Sequence, residues 1–596
     1  MTVPINWDLD SIFPGGSESA EFAAFVAQLT ADIAAAKAQP ALPALSPKTQ
    51  SQWTDAINQL YNLSERLFHA GSFTGCLVAQ DVNDDKARLL DGELDSLHAR
   101  LETLWTRFAA DAANQPDAAW DALLATDALR PVAFDLNEHR TQAKEKLPAE
   151  IEALIAELAA DGYHAWDQLY NVVSGSKQVE FEEAGEKKTM SLGQLQSKYN
   201  DAPDRDVRRR AFALFEKTWA ELAPVTSMAL NYQAGFRLTT YNHRGWDSVL
   251  KEPLFDNRMR RETLDTMWGV IAQKSDRLLD YFDAKAKVLG LDRLTWFDVN
   301  APIGNLKSDF SFEEAADFVV ENLARVNPDI ANFCRMAIDS GWVESENRPG
   351  KRAGAFCTRL PLKHETRVFM TFSGSYNGLS TLAHELGHGY HGYVLRDMPF
   401  GAQRYTMSVA ETASTFNELV VTDAYLNQSS DDGERLGLLD RKLGDATAFL
   451  MNIRARFDFE REFFARRANG QLSVEDLSAL MVDAQKTAYH DGLSQYHPLF
   501  WASKLHFYIT RAPFYNFPYT FGFLFSHGIY AMAQEAGADF KDRYIALLRD
   551  TGSMDTETLA KTHLGVDLTK PAFWETAVDE VLADVDAFVA LANRVG

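Results

Sequence analysis

Apolar residues recur at helical spacing along much of this 596-residue chain. Phe22, Phe25, Val26, Leu29 and Ile33 follow a Ser-rich start that can cap, so the pattern predicts an amphipathic helix from Ser19 to Lys37. Pro40, Pro43 and Pro47 end it. Leu90, Leu94, Leu97, Leu101, Leu104 and Phe108 alternate spacings of four and three, a heptad seam on a long helix. Its expected partner is the stretch near Ile57 to Phe68, in an intramolecular hairpin; dimerisation through the seam is the other reading. From Val179 to Met190 (VEFEEAGEKKTM), alternation around a Gly-containing turn predicts a short β-hairpin. Asn200 to Arg210 is polar and turn-rich, and the boundary between an N-terminal helical lobe (1–200) and a second domain (201–596) is expected near residue 200. Helical patterns resume downstream. The Gly-rich stretch Pro349 to Gly354 marks another turn, and Arg367 to Phe372 (RVFMTF) has the β-branched and aromatic content of a strand.

Composition narrows the classes of function. Apolar residues make up 46% of the chain, enough for more than one core, and single cores stop growing near about 250 to 300 residues. Lys and Arg number 59 against 84 Asp and Glu, a net charge of −25 that argues against nucleic acid or an anionic membrane as partner. Cys76, Cys334 and Cys357 are odd in number and far apart, which favours a reducing compartment over a disulfide framework. Acidic residues stand between Met1 and Gly16 where a secretory signal would be basic, and no stretch approaches the roughly 18 apolar residues of a membrane span. Cytoplasmic residence is expected.

Chemistry enters with His384, Glu385 and His388 in the run H-E-L-G-H. On a helix, residues four apart lie about 40° out of register and about 6 Å apart along the axis, so both imidazoles can reach one ion with Glu385 beside it. Neutral imidazoles favour zinc, one ion per chain, although manganese or cobalt can substitute without a change in sequence. Two histidines leave the ion a protein ligand short. A third histidine six residues past His388 is absent, that position being Val394. Glu411, 23 residues on in SVAETASTFNE, sits among apolar neighbours where an unpartnered carboxylate would be costly, and is the expected third ligand. Glu418, two helical turns later, is a candidate to accept from the second nitrogen of a ligand imidazole. A structural ion pair is the plainer reading of both acids. His391 lies a further turn along the helix and is read as a core residue rather than a ligand. Gly387, Gly389 and Gly392 are poor helix formers that imply close approach by a neighbouring helix.

Amide hydrolysis also needs donors for the tetrahedral oxyanion. His506 to Ser526 (HFYITRAPFYNFPYTFGFLFS) offers His506, Tyr515 and Tyr519, though an aromatic cluster is more often core. The chain resembles the zinc oligopeptidases that include thimet oligopeptidase and, more closely, oligoendopeptidase F. The resemblance is carried by GLSTLAHELGHGYH (Gly378 to His391), the E-T-A-S-T-F-N-E run from Glu411, and the H-F-Y and P-F-Y-x-x-x-Y elements between His506 and Tyr519. GKRAGAFC (Gly350 to Cys357) and Trp7-Asp8-Leu9 are similar to the bacterial branch. It implies a mainly α, two-lobed ellipsoid around a deep channel, with a small β element whose edge strand holds peptide backbone beside the zinc. It also implies His384, His388 and Glu411 as ligands, Glu385 as general base, and His506, Tyr515 and Tyr519 as the group that steadies the transition state, with Tyr508 as a substitute for one of them.

The expected activity is zinc-dependent cleavage of internal bonds in oligopeptides, with the strand at Val368 to Phe372 binding substrate by strand addition. Two alternatives stand beside it. A carboxypeptidase or dipeptidyl carboxypeptidase would need a cation for the substrate's terminal carboxylate. An inactive peptide-binding scaffold would keep the site without turnover.

Overall fold

The computed structural model describes residues 3–306, 309–537 and 540–595, and its described chain is mainly α-helical, with five short strands. It divides into two compact units, each assembled from three separate stretches. Met1–Lys146, Lys307–Asn427 and Met532–Val566 form the first; Leu147–Leu306, Gln428–Ala531 and Asp567–Gly596 form the second. A cut near residue 200 falls inside the second unit, at the end of the Leu192–Asp201 helix. The polar stretch there is a helix junction, because Asp204 accepts a hydrogen bond from the Asp206 amide and starts the 39-residue helix Arg205–His243.

In the first unit, Ser19 accepts from the Phe22 amide and opens the helix Ala20–Ala38, one residue from its expected bounds. The helices Gln50–Gln80 and Asp85–Ala113 pair as a hairpin, and the heptad seam lies between them: Leu94, Leu97, Leu101, Leu104 and Phe108 are buried. Trp53 meets Phe108 at 6.0 Å between rings, and the Trp105 indole donates to Ser64 Oγ at 2.9 Å. The seam is thus used within the chain, where each buried leucine contributes ~1.5–3 kcal/mol.

A three-stranded sheet joins this helical core to the site. Its spatial order is Val343–Glu344, Glu365–Phe369, Phe356–Leu360, with the middle strand parallel to the first and antiparallel to the last. Leu360 and Phe369 belong to the same apolar core as the N-terminal helices. Trp7 packs 5.6 Å from the Phe369 ring and donates its indole N–H to Gln80, and Arg367 donates to the Asp8 carbonyl. The strand expected from Arg367 to Phe372 exists, shifted to Glu365–Phe369, but it is not an edge. Val368, Met370 and Phe372 donate their amides to Trp342, Glu344 and Ser345 on one side, and Val368 and Phe369 pair with Cys357 and Phe356 on the other, so the strand Glu365–Phe369 has no free side for an added strand. Phe356–Leu360 is the edge, with no strand partner on its outer side among the described residues.

In the second unit, Gln178–Glu183 and Glu186–Ser191 form the expected hairpin, Val179 opposite Met190, turning through Ala184 and Gly185 at positive φ. The helix Pro571–Val595 packs against Leu278–Val288 and Asp432–Thr447, with Phe588 meeting the Tyr281 ring at 4.9 Å. A π-helical turn, Ala448–Asn452, leads into the helix Ile453–Arg467, which packs on Val474–Ala488. Among the described residues, no helix is long and apolar enough to cross a membrane.

Candidate active site

The H-E-L-G-H run lies on the helix Tyr376–Leu395, whose first turn is capped by Ser375 accepting from the Gly378 amide. Its glycines are points of contact. A Cβ on Gly387 would lie 2.5 Å from both the Ala413 carbonyl oxygen and Ser414 Cα, so the helix Thr412–Gln428 crosses at that point. On Gly389 and Gly392 it would meet Phe333, Thr366 and Arg359, which brings the sheet onto the same helix. Close approach, the expected cause, holds for all three, but only Gly387 faces a helix backbone.

Glu411 sits in the break between the short helix Met407–Ala410 and Thr412–Gln428. The break aims its carboxylate back at the histidines. Oε2 lies 3.3 Å from His384 Nε2 and 3.4 Å from His388 Nε2, and the three donor atoms fall within 4.8 Å of one another. The other face of His384 is held by Glu418, whose Oε2 is 3.3 Å from Nδ1. With Nδ1–H donated to Glu418, Nε2 carries the lone pair. Two supports escaped the sequence reading: Ser380 donates to Glu418 Oε1 at 2.6 Å and Ser414 to Glu411 Oε2 at 2.7 Å. Their signal was helical spacing, Ser380 one turn before His384 and Ser414 three residues after Glu411.

Electrostatics mark the place as one built for positive charge. Burial alone would lower His384, yet its hydrogen bonds to Glu411 and Glu418 outweigh it and push the imidazole up to about 10. Burial likewise opposes ionisation of Glu411, and the hydrogen bonds from His384 and His388 reverse that, holding it well below the usual carboxylate range. Two imidazoles and a carboxylate converging in this way fit a divalent cation. Glu385 is different in kind. It is 6% exposed and Oε2 has no hydrogen-bond partner among the described residues, and burial raises its carboxyl against the pull of His384 and His388. A buried carboxylate oxygen left open beside a cation site is what a proton acceptor requires.

The edge strand Phe356–Leu360 borders a cavity of about 700 Å³ in the same unit. Phe356, Cys357, Thr358 and Arg359 form one side of it, and Phe68, Trp105 and Phe400 line it elsewhere. Burial and then the nearby Glu385 carboxylate push the Cys357 thiol well above its ordinary range, which puts this strand close to the buried acid.

His391 is fully buried, stacked on Tyr405 at 4.2 Å and bonded through Nε2 to Thr551. It belongs to the core, as expected. The tail residues lie in the second unit. Tyr519 donates to the Tyr515 hydroxyl at 3.1 Å, and His506 packs 4.8 Å from the Tyr515 ring. Tyr508 is not part of this group: it is fully buried, stacked on Tyr170 at 3.8 Å, with its hydroxyl on the Trp501 carbonyl. His506 Nδ1 is 2.5 Å from Asn516 Oδ1, an oxygen that also accepts from Arg456. Nδ1 is therefore the protonated nitrogen, and burial with the adjacent Lys504 lowers the ring to about 4. A neutral His506 protonated at Nδ1 carries its lone pair at Nε2.

A family model for peptidase family M3 matches residues 198–580. The chain belongs to peptidase family M3. A second model, oligopeptidase F, matches residues 113–176. Over 591 residues the chain is 24% identical to oligopeptidase PepF of Bacillus subtilis, covering 96% of this chain and 85% of that protein. It is 25% identical to group B oligopeptidase PepB of Streptococcus agalactiae over 435 residues, 71% of this chain and 70% of that one. The structure of oligoendopeptidase-F from Enterococcus faecium superposes with a TM-score of 0.70 at 19% identity, covering 96% of this chain and 99% of that chain. This family M3 chain therefore shares its mainly helical fold with that structure and is a metallopeptidase by descent.

Proposed function

We propose that the chain is a zinc-dependent endopeptidase that cleaves internal bonds of short to medium oligopeptides. The observation that carries the reading is the convergence of His384, His388 and Glu411 within 4.8 Å beside the open, buried carboxylate of Glu385. Zinc held by these three residues supplies a Lewis acid that brings the pKa of a water towards about 7 and polarises the scissile carbonyl.

The rest of the chemistry falls to side chains. Glu385 takes the proton of the attacking water and passes it to the leaving amine, so one carboxylate serves as base and then acid. Glu418 keeps His384 in the tautomer whose Nε2 is free to bind, and Ser380 keeps Glu418 in place. The Tyr515 hydroxyl donates to the developing oxyanion, a role assigned by resemblance, and Tyr519 orients and polarises it by donating to the Tyr515 oxygen at 3.1 Å. His506 packs its ring 4.8 Å from that of Tyr515 and steadies it by contact. The peptide lies in the 700 Å³ cavity as an added strand on Phe356–Leu360, whose backbone groups recognise it with little regard for sequence. We place the enzyme in the cytoplasm, a reading supported by its three free cysteines.

Peptides of graded length, with free and with blocked C-termini, test this together with metal analysis of the purified protein. Cleavage of blocked peptides at internal bonds, with one zinc per chain, is the expected result. A strict requirement for a free terminal carboxylate would replace the endopeptidase by a carboxypeptidase or dipeptidyl carboxypeptidase, and tight binding without cleavage would leave a scaffold.

A further inference from the structure

Between residues 513 and 520 every side chain is buried except two, Tyr515 and Tyr519. The neighbours of those tyrosines are strapped to one helical segment. Glu460, on the helix Ile453–Arg467, accepts from the Phe514 amide at 3.0 Å. One turn earlier Arg456 donates from Nη1 to Asn516 Oδ1 at 2.8 Å, and its Nε donates to Asn452 at 2.7 Å. Thr520 donates to the Phe449 carbonyl, in the π-helical turn that precedes the helix, at 2.7 Å. Positions 514, 516 and 520 are thus fixed from one side, and the phenols of 515 and 519 are left to meet each other.

The strap is not an arrangement that stability favours. Phe514 holds φ at 52°, the left-handed region, which costs a residue with a side chain roughly 1–2 kcal/mol. Its ring is kept there by Phe457 and Phe464, at 5.7 and 5.6 Å. Glu460 makes no ion pair among the described residues, and burial raises its carboxyl to about 7. A leucine at that position would avoid the desolvation. Upstream, Gln233 donates to the Phe507 carbonyl at 2.5 Å and Arg237 to the Thr510 carbonyl at 2.9 Å, so the loop is tied down along its length. Buried polar groups spent on backbone atoms either side of an accessible tyrosine point to positioning.

We propose that Arg456 and Glu460 are positioning residues that set the Tyr515–Tyr519 hydroxyl pair, acting through the Asn516 amide and the Phe514 backbone. The inference rests on the reading that this pair stabilises the oxyanion. Losing the strap displaces donors whose placement matters to a fraction of an ångström, so its cost falls on kcat rather than on substrate binding.

Glu460→Leu, Glu460→Gln and Arg456→Met, each alone and combined with Tyr515→Phe and Tyr519→Phe, test it on a quenched fluorescent peptide with blocked ends. Circular dichroism and zinc content confirm the fold of each variant. Glu460→Leu and Arg456→Met are expected to lower kcat about 10- to 100-fold with KM within about 3-fold, and Glu460→Gln to stay within about 3-fold of wild type, since its amide oxygen still accepts from Phe514. In the double-phenylalanine background these losses should vanish, because the group acted upon is gone. Wild-type kcat in folded Glu460→Leu, or losses that multiply with those of the tyrosine variants, would overturn the inference. Should Glu460→Leu fail to fold, the same two outcomes are read from Arg456→Met. If the double-phenylalanine variant alone keeps full kcat, the oxyanion role of the tyrosines is wrong and the inference goes with it.

Discussion

Glu418 lies 3.3 Å from Nδ1 of His384 and, by accepting a hydrogen bond there, keeps the proton from moving to Nε2. A ligand imidazole without that acceptor can adopt either tautomer and rotate. Glu418→Ala is therefore expected to weaken zinc about 10- to 100-fold, measured by competition with a chromogenic chelator. Ser380→Ala, which removes the donor to Glu418 Oε1, should produce a smaller loss of the same kind. Unchanged zinc affinity in Glu418→Ala would show that the 3.3 Å contact is an ordinary ion pair.

Glu385 contacts neither Glu411 nor Glu418 by hydrogen bond, and its open Oε2 has no structural duty. Glu385→Gln should keep about one zinc per chain while turnover falls by at least about 100-fold, as expected of a lost general base. Glu411→Gln should behave in the opposite sense, losing metal first. Loss of zinc from Glu385→Gln would mean that this carboxylate is itself a ligand.

Gly387 is where two helices bring backbone against backbone, and the atoms a Cβ would strike, the Ala413 carbonyl and Ser414 Cα, cannot swing aside. Gly387→Ala forces the Thr412–Gln428 helix outward. Overpacking of this kind costs about 1–3 kcal/mol, and here the displaced element begins one residue after Glu411. Weakened zinc retention together with a lowered Tm is the expected outcome, in contrast to Gly444→Ala, which meets nothing within 4 Å. Equal behaviour of the two variants would refute the packing argument.

These elements differ in how far they could be read from sequence. His384 and His388 were legible because the helix itself sets their spacing, and Glu411 because a carboxylate among apolar neighbours needs a partner. The heptad from Leu94 to Phe108 was legible for a similar reason, periodicity being local. Val368 to Phe372 shows the limit. Its composition marks a strand, but which strand is the edge depends on Val343–Glu344 pairing from about 25 residues upstream, and no local pattern encodes that. The strap on Tyr515 was invisible for the same cause: Arg456 and Asn516 are 60 residues apart, and Glu460 and Phe514 are 54. The hydrogen bond of His506 to Asn516 was equally out of reach, since it depends on geometry and not on local pattern.

Glu460 also ties the strap to pH. In the fold its carboxyl is raised from 4.5 to about 7 by burial, with the Phe514 amide and the charge of Arg237, on the facing helix Arg205–His243, pulling the other way. Below about 4.5 the group is protonated whether the chain is folded or not. Between about 4.5 and 7 the unfolded chain releases the proton and the folded chain keeps it, so this group's share of stability falls as pH rises and is fully lost above the folded value. Glutamine cannot ionise. Glu460→Gln should therefore melt above wild type at pH 8 and alongside it near pH 4.5, the gap opening between those values and corresponding to at most ~3 kcal/mol. Thermal unfolding of both proteins across that range provides the measurement. A gap that is constant with pH would mean that Glu460 titrates in the fold at an ordinary pKa, and one that widens towards acid that its pKa is lowered; either would refute the burial argument.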